Sequence, residues 1–375
     1  MTRNFCVICS GKLNNIFILD NVPIKLCCTD IPTYKKYPLS FSQCDDCFTI
    51  QLDNLIPLNE LYSDSHNYNS IGNTWENYFN LFISKIQPII KNKIILEIGC
   101  PSGKIVLNLK ENFQKWYIVE PNKNLKVVFP KNVFFIQDFF DEKFYLNEKV
   151  NVIIHSHLFE HIYDFTFFLK KCYDLLYDDG EMFFGVPDMM YFTNSNICPF
   201  LGIFFEHTCF LNKENITLLL NNNCFDVIEI IDYENHSTLY HCKKINKFAN
   251  DLIVNSKNKF INYYDNFIKS IDIYTDYIIK CNEIIKNTIK DVYIFGASYN
   301  SQLLISLGLE IENIKGILDN CKEKQNKFLY GFNLKIYDPN VITNKNCIII
   351  LKNGYYVNEI LKQIQELNIN TEIIL

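Results

Sequence analysis

Short, almost uniformly apolar runs mark the middle of this chain: Ile94-Ile-Leu-Glu-Ile98, Trp116-Tyr-Ile-Val119, Val133-Phe-Phe-Ile136, Val150-Asn-Val-Ile-Ile154 and Met182-Phe-Phe-Gly-Val186. Runs of this length without alternation are what strands buried on both faces require, as in a parallel sheet. Between them the apolar spacing changes. Trp75, Tyr78, Phe79, Leu81, Phe82 and Ile86 recur at helical intervals and predict a helix from Thr74 to about Ile90. Phe167 to Leu176 predicts another, with a glycine stop at Asp178-Asp-Gly180 before the strand Glu181–Val186. This alternation gives a doubly wound α/β sheet, in which ligands bind beyond the carboxyl ends of the strands. Those ends are polar here, so Glu97, Glu120, Asp138 and His155-Ser-His157 would converge on one crevice.

The flanks read differently. Toward the N-terminus, Pro23, Pro32 and Pro38 interrupt a segment with few long apolar runs, too little for a core of its own. From Lys247 to about Thr288, Phe248, Leu252, Ile253, Phe260, Ile261, Tyr264, Phe267, Ile268, Ile271 and Tyr274 predict long helices that form a connector. Beyond it, Asp291-Val-Tyr-Ile-Phe295, a helix through Leu303 to Leu307, Ile314–Asp319 and Asn346–Leu351 repeat the rhythm of a second, smaller α/β domain.

At 375 residues the chain exceeds one typical core, and two or three domains are expected. A net charge of −6 gives no electrostatic footprint for a nucleic-acid backbone and no basic membrane patch, so neither partner is expected. The opening Met-Thr-Arg-Asn-Phe-Cys lacks a signal-peptide pattern, and no apolar run reaches the roughly 18 residues of a spanning helix. A soluble, cytoplasmic protein is the expectation. Fifteen cysteines, most of them inside apolar stretches, read as reduced thiols rather than a disulfide framework.

Four cysteines stand apart. Cys6-Val-Ile-Cys9 and Cys44-Asp-Asp-Cys47 are two Cys-x-x-Cys knuckles, a spacing that brings four thiolates to the corners of a tetrahedron around zinc. A closed four-cysteine site leaves no position for water, so the ion's role is structural. Cys27 and Cys28 are adjacent, cannot easily chelate one ion together, and are read as non-ligands. Loss of the metal is expected to unfold roughly the first 60 residues without directly removing catalytic chemistry, unless Tyr68 depends on that domain.

The exit of the first central strand, Glu97-Ile-Gly99-Cys-Pro101-Ser-Gly103, carries glycines where backbone must approach a ligand without a Cβ in the way. Glu120 stands 23 residues after Glu97, where the acid of a doubly wound sheet binds ribose hydroxyls. A dinucleotide enzyme would carry Gly-x-Gly-x-x-Gly, whereas the order Glu-x-Gly-x-x-x-Gly resembles motif I of class I S-adenosylmethionine methyltransferases. That resemblance implies S-adenosylmethionine as cofactor, with its methionine part on the Gly99–Gly103 loop and its ribose on Glu120. Asp138 would take the adenine amine beside Phe139, although as a residue it reads nearly as well as a helix cap. Ser156 and His157 complete the implied cofactor set. The histidines of this turn have no Cys or carboxylate partner at convincing ligand spacing, so a metal is not expected there. His161 is read as bracing the turn beside the methionine carboxylate.

Further on stand Phe204-Phe-Glu206-His207-Thr-Cys209-Phe210 and Glu234-Asn-His236-Ser237-Thr-Leu-Tyr240. With the cysteine knuckles, the Gln51-Leu-Asp-Asn run and Tyr68-Asn-Ser70, the chain resembles the S-adenosylmethionine-dependent sugar C-methyltransferases that act on nucleotide-linked 4-keto deoxysugars. The resemblance implies a zinc-binding domain over 1–70, a class I methyltransferase domain over 71–240, and a connector plus C-terminal Rossmann-like domain over 241–375. It implies His207 as the base that removes the proton beside the keto group, Glu206 as its partner, and Tyr68 reaching the same site. In the last domain it implies Gly296 and Ser298 near the sugar nucleotide's phosphates and Asp319-Asn320 as an acidic turn, with no dinucleotide bound. The residue types suit the chemistry: a carbon next to a ketone becomes nucleophilic only when its proton is withdrawn, and an imidazole beside a carboxylate suits that task.

Several positions depart from that family. Phe204 stands where a tyrosine is usual, Cys209 replaces an aromatic residue, Pro101 replaces a small polar one, and Glu234-Asn-His236-Ser237 replaces a His-x-Gly-Gly-Ser run. A phenylalanine cannot donate a hydrogen bond to an enolate or diphosphate oxygen. The alternatives are therefore an O- or N-methyltransferase acting on another glycan precursor, or a non-catalytic protein that keeps the cofactor fold.

Overall fold

The computed structural model describes residues 2–62, 73–99, 102–109, 113–121, 127–189, 203–234, 236–246, 261–343, 345–352, 357–367 and 370–375. Tyr68, Cys100 and Pro101 lie outside the described residues, as does the stretch 247–260 of the expected connector. Among the described residues no helix is long and apolar enough to cross a membrane.

The N-terminal strands are β1 (Leu13–Pro23), β2 (Cys28–Thr29), β3 (Lys36–Cys44) and β4 (Ile50–Leu52). The central ones are β5 (Ile94–Ile98), β6 (Lys115–Val119), β7 (Val133–Ile136), β8 (Val150–Ser156), β9 (Leu176–Pro187), β10 (Cys209–Phe210), β11 (Phe225–Tyr233) and β12 (Ser237–Lys244). Seven of them form one sheet in the order β11-β12-β9-β8-β5-β6-β7. Pairing is parallel from β7 through β9, and β12 runs antiparallel to both of its neighbours. From β5 the chain winds out through β6 to β7 and then returns to β8 on the other side, so the order reverses between β5 and β8. A ligand crevice opens at the carboxyl ends of strands at such a reversal. This is the doubly wound α/β sheet that the apolar runs implied.

All five β5 residues are buried. The helix Asn73–Ile86 lays Tyr78, Phe82 and Ile86 on the sheet, each fully buried, and the Tyr78 hydroxyl meets Ser156 Oγ at 2.8 Å at the end of β8. One boundary differs from expectation. Extended backbone begins at Leu176, directly after the helix Phe165–Leu175, instead of after Gly180. Val150 pairs with Leu176 and Val152 with Glu181, so Tyr177–Gly180 are taken up in a bulge of β9.

β10 joins a different sheet, β1-β3-β4-β10, with Cys209 opposite Gln51 and Phe210 opposite Ile50. The segment just after Glu206-His207 is thus the fourth strand of the cysteine-bearing sheet. The C-terminal strands β13 (Asp291–Phe295), β14 (Ile314–Leu318), β15 (Phe328–Leu329), β16 (Ile336–Tyr337), β17 (Cys347–Ile350) and β18 (Glu372–Ile374) follow the long helix Ile261–Asn287. Five of these form a wholly parallel sheet, β16-β14-β13-β17-β18, and β15 pairs with β2.

The N-terminal sheet has no separate core. Phe41 packs edge-on against Phe210 at 5.7 Å and tilts against Phe267 of the long helix at 5.9 Å. Its other side, with Cys6, Ile8, Cys44 and Cys47, joins the apolar cluster of the central sheet around Leu96, Phe184 and Leu211. The apolar poverty of this segment is met by the domains on either side of it.

Candidate active site

The cofactor crevice is a cavity of about 710 Å3 at the carboxyl ends of β5, β6 and β8, within the range of small-molecule sites. Glu97, Gly99, Glu120, Phe139, Ser156 and His157 come together along its walls. Gly99 has φ +72° and Gly103 φ +67°, a backbone conformation that side chains with a Cβ rarely adopt. A Cβ on Gly103 would also press on the Phe129 ring at 2.9 Å. Gly103 therefore shapes the loop, while Ser102 and Lys104 on either side reach the cavity.

Glu97 is 2% exposed and accepts a 2.8 Å hydrogen bond from Trp116 Nε1, which holds this buried carboxylate at the cavity floor. Glu120, also buried, sits at the exit of β6, its backbone N–H donating to Ile136. Asp138 differs from expectation. It is exposed, its carboxylate takes the N–H of Phe139 at 2.8 Å, and Phe140 and Asp141 line the cavity beyond Phe139. Trp75 and Phe79, from the helix before β5, form an aromatic wall, where their spacing in the sequence predicted only a helix.

The same cavity reaches Tyr62, His161 and Glu206. Here charged and ionisable groups meet. Glu160, on the 3-10 turn Phe159–His161, is 2% exposed, and its Oε1 lies 3.5 Å from His157 Nδ1 and 3.8 Å from His161 Nε2. Burial alone would raise its carboxyl, but the hydrogen bond from His157 and the nearby His161 and His207 hold it down at about 2. His161 Nδ1 lies 2.9 Å from the Glu206 carbonyl oxygen and 3.2 Å from the Tyr62 hydroxyl. Its ring centroid is 5.1 Å from that of His207.

His207 is buried, and desolvation lowers it from the usual histidine value to about 3, so the imidazole is neutral near pH 7. Phe204 lies against it, with ring centroids 4.2 Å apart, and Tyr299 from the C-terminal part of the chain also packs on Phe204, at 5.2 Å. Thr208 fixes the adjoining backbone: its N–H donates to Glu160 O at 2.9 Å, its hydroxyl to Ile162 O at 2.7 Å, and its carbonyl accepts from Arg3 Nη1 at 2.6 Å. Tyr68 cannot be compared, being outside the described residues. Tyr62, six positions earlier in the sequence, is the described tyrosine that reaches His161.

The sequence missed Glu160 and Tyr62 as site residues. Glu160 offered one signal, its adjacency to His161, but nothing local showed that His207 would come alongside. On the β12 side, His157 Nε2 is 3.0 Å and His236 Nδ1 2.6 Å from Ser237 Oγ, so the segment that replaces the Gly-Gly-Ser run pairs with the β8 turn.

Cys6, Cys9, Cys44 and Cys47 come together with their sulfurs within 4.8 Å of one another. Cys6 and Cys47 sulfurs are 3.5 Å apart, as are those of Cys9 and Cys44. Four Zn–S bonds of about 2.3 Å at tetrahedral angles require sulfurs about 3.8 Å apart, so the set fits zinc. Backbone N–H groups of Ile8 and Asp46 approach Cys6 and Cys44 Sγ at 3.4 Å each, as expected where sulfur carries negative charge.

Residues 75–230 match the family model of a methyltransferase domain, and residues 227–373 match that of a C-methyltransferase C-terminal domain. No curated protein matches the chain. Among solved structures, the N-methyltransferase NodS from Bradyrhizobium japonicum WM9 in complex with S-adenosyl-l-homocysteine is 12% identical, covering 47% of this chain and 89% of that one, with a TM-score of 0.36. YcgJ from Bacillus subtilis is 13% identical over 46% of this chain and all of that one, at 0.36. The pyocyanin biosynthetic protein PhzM is 14% identical over 50% of this chain and 63% of that one, at 0.37. Each covers half of this chain or less, and none bears on its substrate. The two matched models run together from the helix before β5 into the last strand, and on that basis the chain carries a methyltransferase domain followed by a C-methyltransferase C-terminal domain.

Proposed function

We propose that this chain methylates the carbon next to the keto group of a nucleotide-linked deoxysugar, with His207 as general base and a structural zinc on the four cysteines. When bound, S-adenosylmethionine supplies the methyl group on a positively charged sulfur. The observation that carries the reading is the continuity of the donor cavity with the acid–base cluster. One cavity runs from Glu97, Gly99 and Glu120 to His161 and Glu206, and the ring of His207 lies next to His161, with centroids 5.1 Å apart.

In this reading His207, neutral at rest, takes the proton from the carbon beside the ketone. Ionised Glu160 and Glu206 stabilise the imidazolium that results, since both raise the affinity of His207 for a proton against the opposing effect of burial. Glu97, anchored by Trp116, and Glu120 hold the donor, and the Gly99 turn lets backbone approach it. Transfer then depends mainly on alignment, which binding supplies.

Deuterium exchange beside the acceptor ketone tests the carbon-methylation reading. Exchange in the absence of donor, lost in His207→Ala, is the expected result. That variant should lose about 10²–10⁴-fold in turnover while donor affinity stays nearly unchanged. Equal loss of turnover and donor affinity would refute the assignment of His207. Phe204 favours a second reading, transfer to oxygen or nitrogen, because this wall of His207 lacks a phenol hydroxyl. Methylation without prior exchange would select it.

A further inference from the structure

One ligand atom from each of Glu160, His161 and His207 lies within 4.8 Å of the other two. Glu160 is 2% exposed, and its Oε2 has no hydrogen-bond partner among the described residues; His207 is 9% exposed, and its Nδ1 likewise has none. Polar atoms buried in this way destabilise the fold unless something satisfies them. We propose that Glu160, His161 and His207 form a binding site for a first-row divalent cation, distinct from the four-cysteine centre.

The donor set names the class of ion. One carboxylate and two imidazoles suit zinc, cobalt, manganese or ferrous iron, whereas calcium and magnesium favour all-oxygen shells. The surroundings match what metal-ligating histidines require, a hydrogen bond that fixes the second ring nitrogen. His161 Nδ1 at 2.9 Å from the Glu206 carbonyl directs Nε2 toward Glu160. Glu160 is itself steadied by His157, whose far nitrogen is 3.0 Å from Ser237 Oγ. Metal–ligand bonds of about 2.1 Å at tetrahedral angles set ligand atoms about 3.4 Å apart, so atoms that lie within 4.8 Å of one another need close by at most about 1.4 Å, within the reach of side-chain rotation. Three protein ligands leave a coordination position for water or an acceptor oxygen, and His161 already faces the cavity.

This inference shares His207 with the function proposed above, and the two roles exclude each other at any moment. A cation on the His207 lone pair prevents that nitrogen from taking a proton, so cation binding inhibits a reaction in which His207 is the base.

The test is a titration of the zinc-replete full chain with Co²⁺. One further equivalent should bind with weak visible bands and no sulfur-to-cobalt charge-transfer absorption, and its affinity should fall at least about tenfold in Glu160→Gln and in His161→Gln. S-adenosylmethionine binding by the same variants reports whether they are folded. No further equivalent, or one carrying the thiolate band, overturns the site even if neither variant folds; unchanged affinity in both folded variants overturns it too. Turnover separates this proposal from the previous one. Activity that falls as the extra equivalent binds sustains both, and activity that requires it sustains the site while removing His207 as base. No extra equivalent together with an inactive His207→Ala removes the site and leaves the base.

Discussion

The four-cysteine cluster and the Glu160–His207 cluster are both buried groups of metal-ligand side chains, yet they are built in opposite ways. The cysteines come as two pairs, each closed within a four-residue knuckle, so only one long-range contact, β1 on β3, is needed to bring them together. The carboxylate and the imidazoles come from a 3-10 turn after β8 and from the segment before β10, and no local spacing announces them. The first cluster can organise its surroundings once metal is bound. The second is organised by its surroundings, above all by Thr208, whose carbonyl accepts from Leu52 at 3.0 Å in the cysteine-bearing sheet.

The largest effect should come from removing the zinc proposed for the four cysteines. Structural zinc contributes about 10–16 kcal/mol of apparent binding free energy in small zinc-dependent folds. Chelation, or Cys44→Ser, should therefore unfold the β1-β3-β4-β10 sheet. Because β10 belongs to that sheet, turnover should fall with it, in contrast to the separable role that composition suggested. Amide exchange checks this directly: protection should be lost from β1 through Leu52 and also across Thr208–Phe210. Protection retained at Thr208–Phe210 with active, zinc-free protein would show the two clusters to be independent.

Glu160→Gln strikes the second cluster. A carboxylate held at about 2 in the folded chain, against an unfolded value near 4.3, contributes stability that is present above about pH 4.3 and disappears as pH falls through 2. The variant should lose on the order of 3 kcal/mol at neutral pH, with little loss near pH 2. Denaturant titrations at pH 7 and pH 3 measure the difference, and an equal loss at both would mean that packing, rather than charge, is at stake.

Gln51→Leu probes the link between the clusters. Gln51 Oε1 accepts from Val7 N–H inside the first knuckle at 3.0 Å, its Nε2 donates to Phe5 O at 3.3 Å, and its backbone pairs with Cys209. Loss of both side-chain bonds should cost about 1–3 kcal/mol and quicken zinc release to a chelator. A lower kcat at unchanged donor affinity would sharpen the comparison, since it would show the knuckle acting on the acid–base pair through one residue. Faster release with unchanged kcat would confine the knuckle's influence to its own sheet.

How far the sequence reached follows the same division. The β5 and β6 runs, the Gly99 and Gly103 turn and the cysteine knuckles were legible because each is local: an apolar strand, a positive-φ turn, a two-residue gap. β10 was not, being two residues long and paired to a strand some 160 residues earlier, too short for any periodicity. Asp138 and Glu160 show the limit in opposite senses. Asp138 had the expected strand-end position, but its carboxylate turns to the next backbone N–H, while Glu160 carried no sequence signal beyond its neighbour His161, and it is the Thr208 N–H on its carbonyl that ties this turn to the segment bearing His207.

The effect absent at neutral pH and seen only on acidification concerns His155, a buried imidazole that belongs to neither cluster. It is fully buried between the rings of Phe184 and Phe159, with centroids at 4.6 and 5.9 Å and Phe168 edge-on at 5.5 Å, and neither ring nitrogen has a partner among the described residues. Desolvation lowers it to about 3, only partly opposed by the charge of Glu160. The sign follows from linkage. Between about pH 6.5 and 3 the unfolded chain binds a proton at this position that the folded chain refuses, so stability is fully present above about pH 6.5 and falls on acidification, by up to about 1.4 kcal/mol per pH unit. His155→Phe keeps an aromatic ring in the stack and removes the titration. Its melting temperature should change less than that of the natural chain between pH 7 and pH 5, whatever the offset from repacking at neutral pH. An unchanged acid slope would mean that His155 is protonated in the folded chain, and that the carboxylate of Glu160 acts on the β8 end as well as on the cluster it anchors.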